Sequence, residues 1–105
     1  MESLTRKEEL ILLAIINLEE EAYLVSIQDH LSSVLKMKML LTAVHVPLTR
    51  LEKRGLIESE YGESTAVRGG RRKKIYTLTD RGLKTLNEYR KINDIMWDKY
   101  SKGLV

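Results

Sequence analysis

The chain has 105 residues, with 43% hydrophobic and 31% charged side chains, and a formal net charge of +3. This length predicts one domain, residues 1–105, and the composition is ordinary for a folded globular protein. Because the chain lacks cysteine, disulfides and thiolate zinc sites are excluded. No signal-type segment opens the chain, and its apolar run of seven residues near the N-terminus is too short to span a bilayer. We therefore expect a cytoplasmic protein that does not enter a membrane.

The first predicted helix, residues 6–18, follows Thr5 and Glu8, which have the Thr-x-x-Glu spacing of a capping box. Its centre is apolar around most of the circumference, whereas a surface helix needs only one apolar stripe. Two arrangements explain this pattern. The helix is the centre of the monomer core, or it packs against its own domain on one side and a second subunit on the other. In so short a chain we favour the second arrangement, with Leu12 and Ile16 in a dimer contact.

Two further helices are predicted, one over residues 24–35 and one from about Thr42 to the turn at Gly55. Thr42 is placed to cap the third helix, and Gly55 to end it in a left-handed conformation. Pro47 then lies just beyond the first turn, where its missing N–H and its ring should distort the helix. The alternatives to a start near Thr42 are that the helix begins later or that it starts as a looser turn. The apolar faces of these helices consist of Ile27, Leu31, Val34 and Leu35, and of Val44, Leu48 and Leu51.

A β-hairpin is predicted next, with a first strand over residues 56–61, a tip over residues 62–73, and a returning strand through Leu78. The tip region contains five cations within seven residues, around two glycines: Arg68, Arg71, Arg72, Lys73 and Lys74 surround Gly69 and Gly70. This charge distribution is typical of a wing that lies along nucleic-acid phosphates. The alternative is a solvated run of charges on a flexible loop, but the flanking strands favour the wing.

Thr79 or Asp80 is placed to cap a last helix that runs to about Tyr100. Its apolar stripe recurs at three- and four-residue steps, through Leu86, Tyr89, Asn93, Met96 and Tyr100, with Ile92, Ile95 and Trp97 beside it. This stripe is too long to pack wholly on such a small domain, whereas a helix–helix dimer interface would bury it. Residues 80–105 are therefore predicted to form a dimerisation helix. The predicted fold is mainly α with a small β-hairpin: a winged helix-turn-helix with a C-terminal dimerisation helix.

Short sequence patterns throughout the chain support this architecture. They comprise Ala22, Tyr23, Val25 and Ile27; Ala43, Val44, Leu48, Arg50, Leu51, Glu52, Gly55, Leu56 and Ile57; Gly62, Glu63, Thr65, Arg68, Gly69, Gly70, Arg71, Arg72 and Lys73; Tyr76, Leu78, Thr79 and Gly82; and Trp97. In this order they resemble the PadR-type transcriptional regulators, in their short form with a single C-terminal helix. Leu24 and Thr42 stand where the family has glycine, His45 stands where tyrosine is common, and Pro47 is unusual. These departures bear on DNA docking rather than on the fold.

In a helix-turn-helix, the second helix of the pair enters the major groove by its N-terminal part. Thr42 and His45 could donate to phosphates or base edges there, and Thr49 could contact bases with its methyl or its hydroxyl. Alternatively, Thr42 only caps the helix and His45 only faces solvent. Arg50 would contact the DNA backbone. In the wing, the predicted DNA-binding residues are Arg68, Gly70, Arg71, Arg72 and Lys73.

The resemblance also implies a ligand hypothesis, because some family members sense aromatic or drug-like molecules near the dimer helices. Trp97, with Met96 and Tyr100, could stack on a flat compound. The favoured alternative is that Trp97 fills the dimer core.

No catalytic constellation and no metal site of usual spacing is found in the sequence, so we expect neither an enzyme nor a cofactor. The predicted function is that of a homodimeric transcriptional regulator, a repressor, that binds a pseudo-palindromic site in double-stranded DNA. A small effector would relieve this repression. The competing hypothesis is a winged-helix protein-interaction module, whose basic wing binds an acidic protein and never DNA.

Overall fold

The computed structural model describes residues 2–62 and 72–103, which form four α-helices and one two-stranded antiparallel sheet. The elements are α1 (Arg6–Leu18), α2 (Leu24–Leu35), α3 (Leu41–Lys53), β1 (Ile57–Tyr61), β2 (Lys74–Leu78) and α4 (Asp80–Gly103), with one turn of 3-10 helix at Glu19–Glu21. Their order and type confirm the predicted winged helix-turn-helix with a long terminal helix.

Helix α1 lies at the centre of the fold. Its predicted capping box is present, because the Glu8 amide donates to Thr5 Oγ1 at 3.1 Å and the Thr5 amide donates to Glu8 Oε1 at 2.8 Å. Leu12 is fully buried within its own chain, so its placement in a dimer contact was wrong. Leu13 and Ile16 remain 38% and 43% exposed. Most of α1 therefore packs into its own domain, and a narrow apolar strip stays open.

Helix α2 has the predicted bounds, but its apolar face is only partly buried. Val34 and Leu35 are exposed, because they lie at the end of the helix, beyond the neighbouring elements. The turn that follows is fixed to α2 by side chains: Gln28 Nε2 donates to the Met39 carbonyl at 2.8 Å, and the Met39 amide donates to Ser32 Oγ at 3.0 Å. These bonds set the angle at which α3 leaves the turn.

Helix α3 begins one residue before the predicted cap. Leu40 occupies the N-cap position without a side-chain bond, and Thr42 lies inside the first turn. Pro47 lies within the continuous helix, so the predicted start near Thr42 is accurate to one residue, and the later or looser start that Pro47 suggested is not seen. An interior proline removes one backbone hydrogen bond and costs roughly 3 kcal/mol. Here the ring of Pro47 is itself buried, beside Val44 and Leu48, and this packing offsets the lost bond.

The root of the hairpin is tightly built. Gly55 has a φ of 76°, the left-handed conformation predicted for it. Thr79 Oγ1 donates to the Gly55 carbonyl at 2.6 Å and accepts from the Gly82 amide at 3.1 Å, so Thr79 caps α4. A Cβ on Gly82 would lie 2.0 Å from the carbonyl oxygen of Leu56. Only glycine lets α4 start this close to the link between α3 and β1.

The first half of α4 is fixed to its own domain. Leu86 is buried, and the hydroxyl of Tyr89 accepts a hydrogen bond from the Leu4 amide at 2.6 Å. Asn93 Nδ2 donates to Glu9 Oε2 at 3.0 Å. Leu86 and Tyr89 therefore pack in part against their own chain, and their assignment to the dimer contact stays a prediction.

The second half of α4 projects beyond the domain. With 24 residues, the helix is about 36 Å long, and after Asn93 its apolar side chains are exposed. Ile95 and Met96 are each 73% exposed, Trp97 59% and Tyr100 56%. Residues 94–103 are called the overhang below.

Candidate nucleic-acid interface

The solvent side of α3 presents one continuous stripe. Its core side consists of Val44, Pro47, Leu48 and Leu51. On the opposite side, Thr42, Val46, Thr49 and Lys53 follow one another at steps of three and four residues and are all exposed. His45 and Arg50 flank this stripe and are also exposed. All four residues predicted on this helix, Thr42, His45, Thr49 and Arg50, therefore face solvent.

Val46 lies in the middle of this stripe and is 51% exposed. Contacts in this part of the helix were predicted only for polar side chains, so Val46 received none. Helical spacing from Thr42 and Thr49 was the signal that could have identified it.

The two threonines of the stripe differ in what they can offer. The hydroxyl of Thr49 donates to the His45 carbonyl at 3.1 Å, one turn back along α3. This bond occupies the hydroxyl's proton within the helix, as is common for threonine at such positions. The methyl of Thr49 is therefore the more available part of this side chain.

The base of the wing packs beside α3 and α2. The Tyr76 amide donates to the Ala22 carbonyl at 2.8 Å, which ties β2 to the start of α2. The ammonium of Lys73 lies 4.0 Å from the centre of the Tyr23 ring, in a cation–π contact. A groove in this region is lined by Tyr23, Leu24, Val25, His45, Arg72, Lys73, Lys74 and Tyr76. The structure thus brings His45 of α3 together with Arg72 and Lys73 of the wing. Arg68, Gly70 and Arg71 lie outside the described residues.

A second contact joins the wing to α3. Lys74 Nζ lies 3.3 Å from Glu52 Oε1, and the hydroxyl of Ser59 donates to Glu52 Oε2 at 2.5 Å. The Ser59 hydrogen bond and then Lys74 hold the pKa of Glu52 below its ordinary value, although burial opposes them. The hydrogen bond to Glu52 raises the pKa of Lys74. Glu52 thus pairs with a neighbouring cation, and Lys74 fixes the wing root instead of pointing to a partner.

Two other cations, Arg54 and Arg81, are bound by residues of the N-terminal segment and of α1. Arg54 donates to the Ser3 carbonyl at 2.6 Å and lies 3.5 Å from a Glu8 oxygen. Arg81 forms two hydrogen bonds with the carboxylate of Glu2, both 2.8 Å long. These bonds direct Arg54 to Ser3 and Glu8 and Arg81 to Glu2.

Residues 2–62 and 72–103 contain no group of three or more His, Cys, Asp or Glu side chains that could hold a metal ion. None of the helices in that part of the chain is both long enough and apolar enough to cross a bilayer.

Comparison with known proteins identifies the family. The sequence matches the transcriptional regulator PadR-like family over residues 12–88, a range that includes α2, α3 and the wing. The chain belongs to this family. No curated protein sequence matches it. In this PadR-like chain the overhang lies beyond the matched range.

Several solved structures share the fold. A PadR-like transcription factor from Bacteroides fragilis has 26% identity and a TM-score of 0.72, over 91% of this chain and 87% of that one. A PadR family regulator from Eggerthella lenta has 26% identity and a TM-score of 0.69, over 94% and 84% of the two chains. Bacillus subtilis PadR, solved in complex with operator DNA, has 19% identity and a TM-score of 0.64, over 83% of this chain and 48% of that one.

Proposed function

We propose that this PadR-like regulator represses transcription as a homodimer that binds a pseudo-palindromic site in double-stranded DNA. The observation that carries the proposal is the groove that brings His45 of α3 beside Arg72 and Lys73 of the wing. One surface then offers a helix of suitable size for the major groove and cations for the adjacent phosphates. The complex of Bacillus subtilis PadR with operator DNA supports the same use of this fold.

In the proposed complex, α3 enters the major groove with its exposed stripe facing the bases. Thr42, His45 and Thr49 contact bases or phosphates, and Arg50 at the edge of the stripe contacts the backbone. Arg72 and Lys73, with the tip residues Arg68, Gly70 and Arg71, follow the phosphates along the neighbouring groove. Arginine is favoured where the minor groove is narrow, because the negative potential is deepest there.

The proposed dimer uses the apolar surfaces that the domain leaves open. A groove between α1 and α4 is lined in part by Leu13, Ile16, Leu83 and Leu86. The overhang carries Met96 and Trp97, exposed on the continuation of the face by which α4 packs on its own domain. In a twofold dimer, each overhang would lie in the partner's groove, and both surfaces would be buried. Ile16 and Met96 stay in this proposal, whereas Leu12 leaves it.

We also propose that a small aromatic effector binds at Met96, Trp97 and Tyr100 and relieves repression by changing the angle between the two wings. The rings of Trp97 and Tyr100 pack edge to face, with centroids 5.1 Å apart. Such a pair can present a flat face to a third ring. Filling the dimer core is the competing role of Trp97. Because genomic DNA is the proposed target, we place the protein's action in the cytoplasm.

A gel-shift titration over salt concentration tests the DNA proposal, with sedimentation of the same protein to measure its mass. We expect a dimer that prefers some fragments of genomic DNA over others. If each subunit contacts about three phosphates, the affinity should fall with a log–log slope of roughly −5. Absence of DNA affinity at low salt would favour the protein-interaction alternative, and a monomer would contradict the paired arrangement.

A further inference from the structure

The base-facing part of α3 lacks the side chains that usually read bases through paired hydrogen bonds. From Leu41 to Thr49 the helix contains no Arg, Lys, Asn, Gln, Asp or Glu. Arginine and lysine read guanine, asparagine and glutamine read adenine, and acidic side chains accept from cytosine. The first side chain of any of these types is Arg50, which lies at the edge of the exposed stripe, near the third turn of the helix.

Methyl groups, instead of hydrogen-bonding side chains, occupy the centre of the stripe. Val46 is 51% exposed although it is aliphatic, and no other described element covers it. Thr49 follows it on the same face, and its hydroxyl already donates to the His45 carbonyl. Two adjacent positions of the groove-entering surface therefore present mainly hydrocarbon.

Only one base offers a matching group in the major groove. Thymine carries the C5-methyl there, whereas guanine, cytosine and adenine present only donors and acceptors. We propose that Val46 and the γ-methyl of Thr49 select thymine by contact with its methyl group. This inference rests on the proposed function, because it requires α3 to lie in the major groove.

The proposal divides the remaining contacts by type. Thr42 and His45, which flank or begin the stripe, supply the polar contacts to bases and phosphates. Arg72 and Lys73 bind phosphates, whose charge does not depend on the sequence. Base preference then depends on apolar contact at two positions in each half-site.

The decisive measurement removes thymine methyl groups without changing any hydrogen bond. A duplex selected from a random library by the parent protein is resynthesised with deoxyuridine in place of single thymidines. Burying one methyl group is worth roughly fourfold in affinity. We expect about fourfold weaker binding at one or two positions in a half-site, and about 15-fold when both half-sites are changed together.

Variants of the two residues locate the effect on α3. Val46→Ala should lose its sensitivity to deoxyuridine at the thymidine that Val46 contacts, and keep it at the thymidine that the Thr49 methyl contacts. Thr49→Ser, which keeps the hydroxyl and loses the methyl, should bind about fourfold more weakly than Thr49→Val, which keeps the methyl and loses the hydroxyl. The matched control is Val34→Ala, at a valine on α2 that is 59% exposed, and it should keep full sensitivity to deoxyuridine. Thermal melting of each variant shows that it is folded.

The outcomes distinguish failure of the proposed DNA binding from failure of thymine selection alone. If the parent protein enriches no sequence from the library, the proposed function fails, and this inference fails with it. If it enriches a sequence that binds equally well with deoxyuridine at every position, DNA binding stands and thymine selection is refuted. Thymine selection is also refuted if Val46→Ala discriminates as the parent does, or if Thr49→Ser keeps the affinity that Thr49→Val loses.

Discussion

Helix α3 and the root of the wing lie side by side, but their exposed surfaces differ in chemistry. The stripe on α3 has a valine between two threonines, and its charged residue, Lys53, comes only at the end of the helix. Between β1 and β2 the described residues are Gly62, Arg72 and Lys73, and both of these cations are exposed. In the proposed complex, this difference would assign two tasks, selecting a sequence and binding the phosphate backbone, to separate elements.

Separate tasks still require a fixed distance between the two elements. The contacts of Glu52 with Lys74 and Ser59 join α3 to both strands of the hairpin. At the other end of the same region, Gly82 brings α4 against Leu56, in the link between α3 and β1. Substitutions can therefore test the shared frame and each of the two surfaces separately.

The largest expected effect is that of Gly82→Ala, which breaks the frame. The new methyl would lie 2.0 Å from the Leu56 carbonyl oxygen, so the backbone must shift. Overpacking of this kind costs about 3 kcal/mol or more, which corresponds to a fall in Tm of more than about 10 °C. Thermal unfolding followed by circular dichroism measures it. The control is Gly103→Ala, where nothing lies within 4 Å of the new Cβ; equal melting of both variants would disprove the close approach.

A smaller effect is expected from Arg72→Ala combined with Lys73→Ala, which removes two exposed cations of the wing. Binding should weaken for every duplex, because phosphates are the same in all sequences, and the salt slope should fall by about 0.9 for each lost contact. The ratio of affinities for thymidine and deoxyuridine duplexes should not change. Gel shifts at several salt concentrations measure both quantities.

Lys84→Ala with Lys91→Ala removes the same charge from exposed positions on α4 and is the matched control for the wing variant. It should leave the salt slope unchanged. A wing variant that altered sequence preference, with affinity for other duplexes intact, would contradict the division of tasks.

The smallest effect is expected from Glu52→Gln, which weakens the connection between the two elements. Glu52 and Lys74 are partly exposed, so their pair is worth less than about 1 kcal/mol. Because the pKa of Glu52 is lowered in the folded state, its contribution is fully present above the unfolded value of about 4.3. It is lost as the pH falls through the lower folded pKa.

Urea unfolding at pH 7 and at pH 3 measures this loss. The parent should be more stable than Glu52→Gln at pH 7, and the difference should shrink at pH 3. Glu58→Gln, at an exposed position on β1, is the control, and its stability should equal that of the parent at both pH values. A difference between parent and Glu52→Gln that did not shrink in acid would exclude the charge of Glu52 as its origin.

Much of the fold follows from local rules that the sequence displays. The capping box at Thr5 and Glu8 and the left-handed turn at Gly55 mark helix ends, and the structure has both. A later or looser start of α3 was considered because Pro47 was weighed by its backbone preference alone. Burial of the proline ring depends on residues distant in the chain, and no local pattern reports it.

Part of the candidate site could also be predicted from the sequence, and part could not. Charge clustering identified Arg72 and Lys73, and helical spacing placed Thr42, His45, Thr49 and Arg50 on the same helix. Periodicity identifies a stripe on α4 but not the point at which the domain beneath it ends, so the sequence did not show that Leu86 is buried while Met96 is exposed. The bond from Thr49 to the His45 carbonyl is a rotamer choice, which residue order does not reveal.

The overhang of α4 has a consequence for operator geometry. In the proposed dimer, the distance between the two copies of α3 depends on how far each terminal helix extends before it meets its partner. One helical turn advances the chain by about 5.4 Å, which is more than the rise of one base pair. The terminal helix would thus act as a ruler for half-site spacing, and relatives with longer or shorter overhangs would require differently spaced operators.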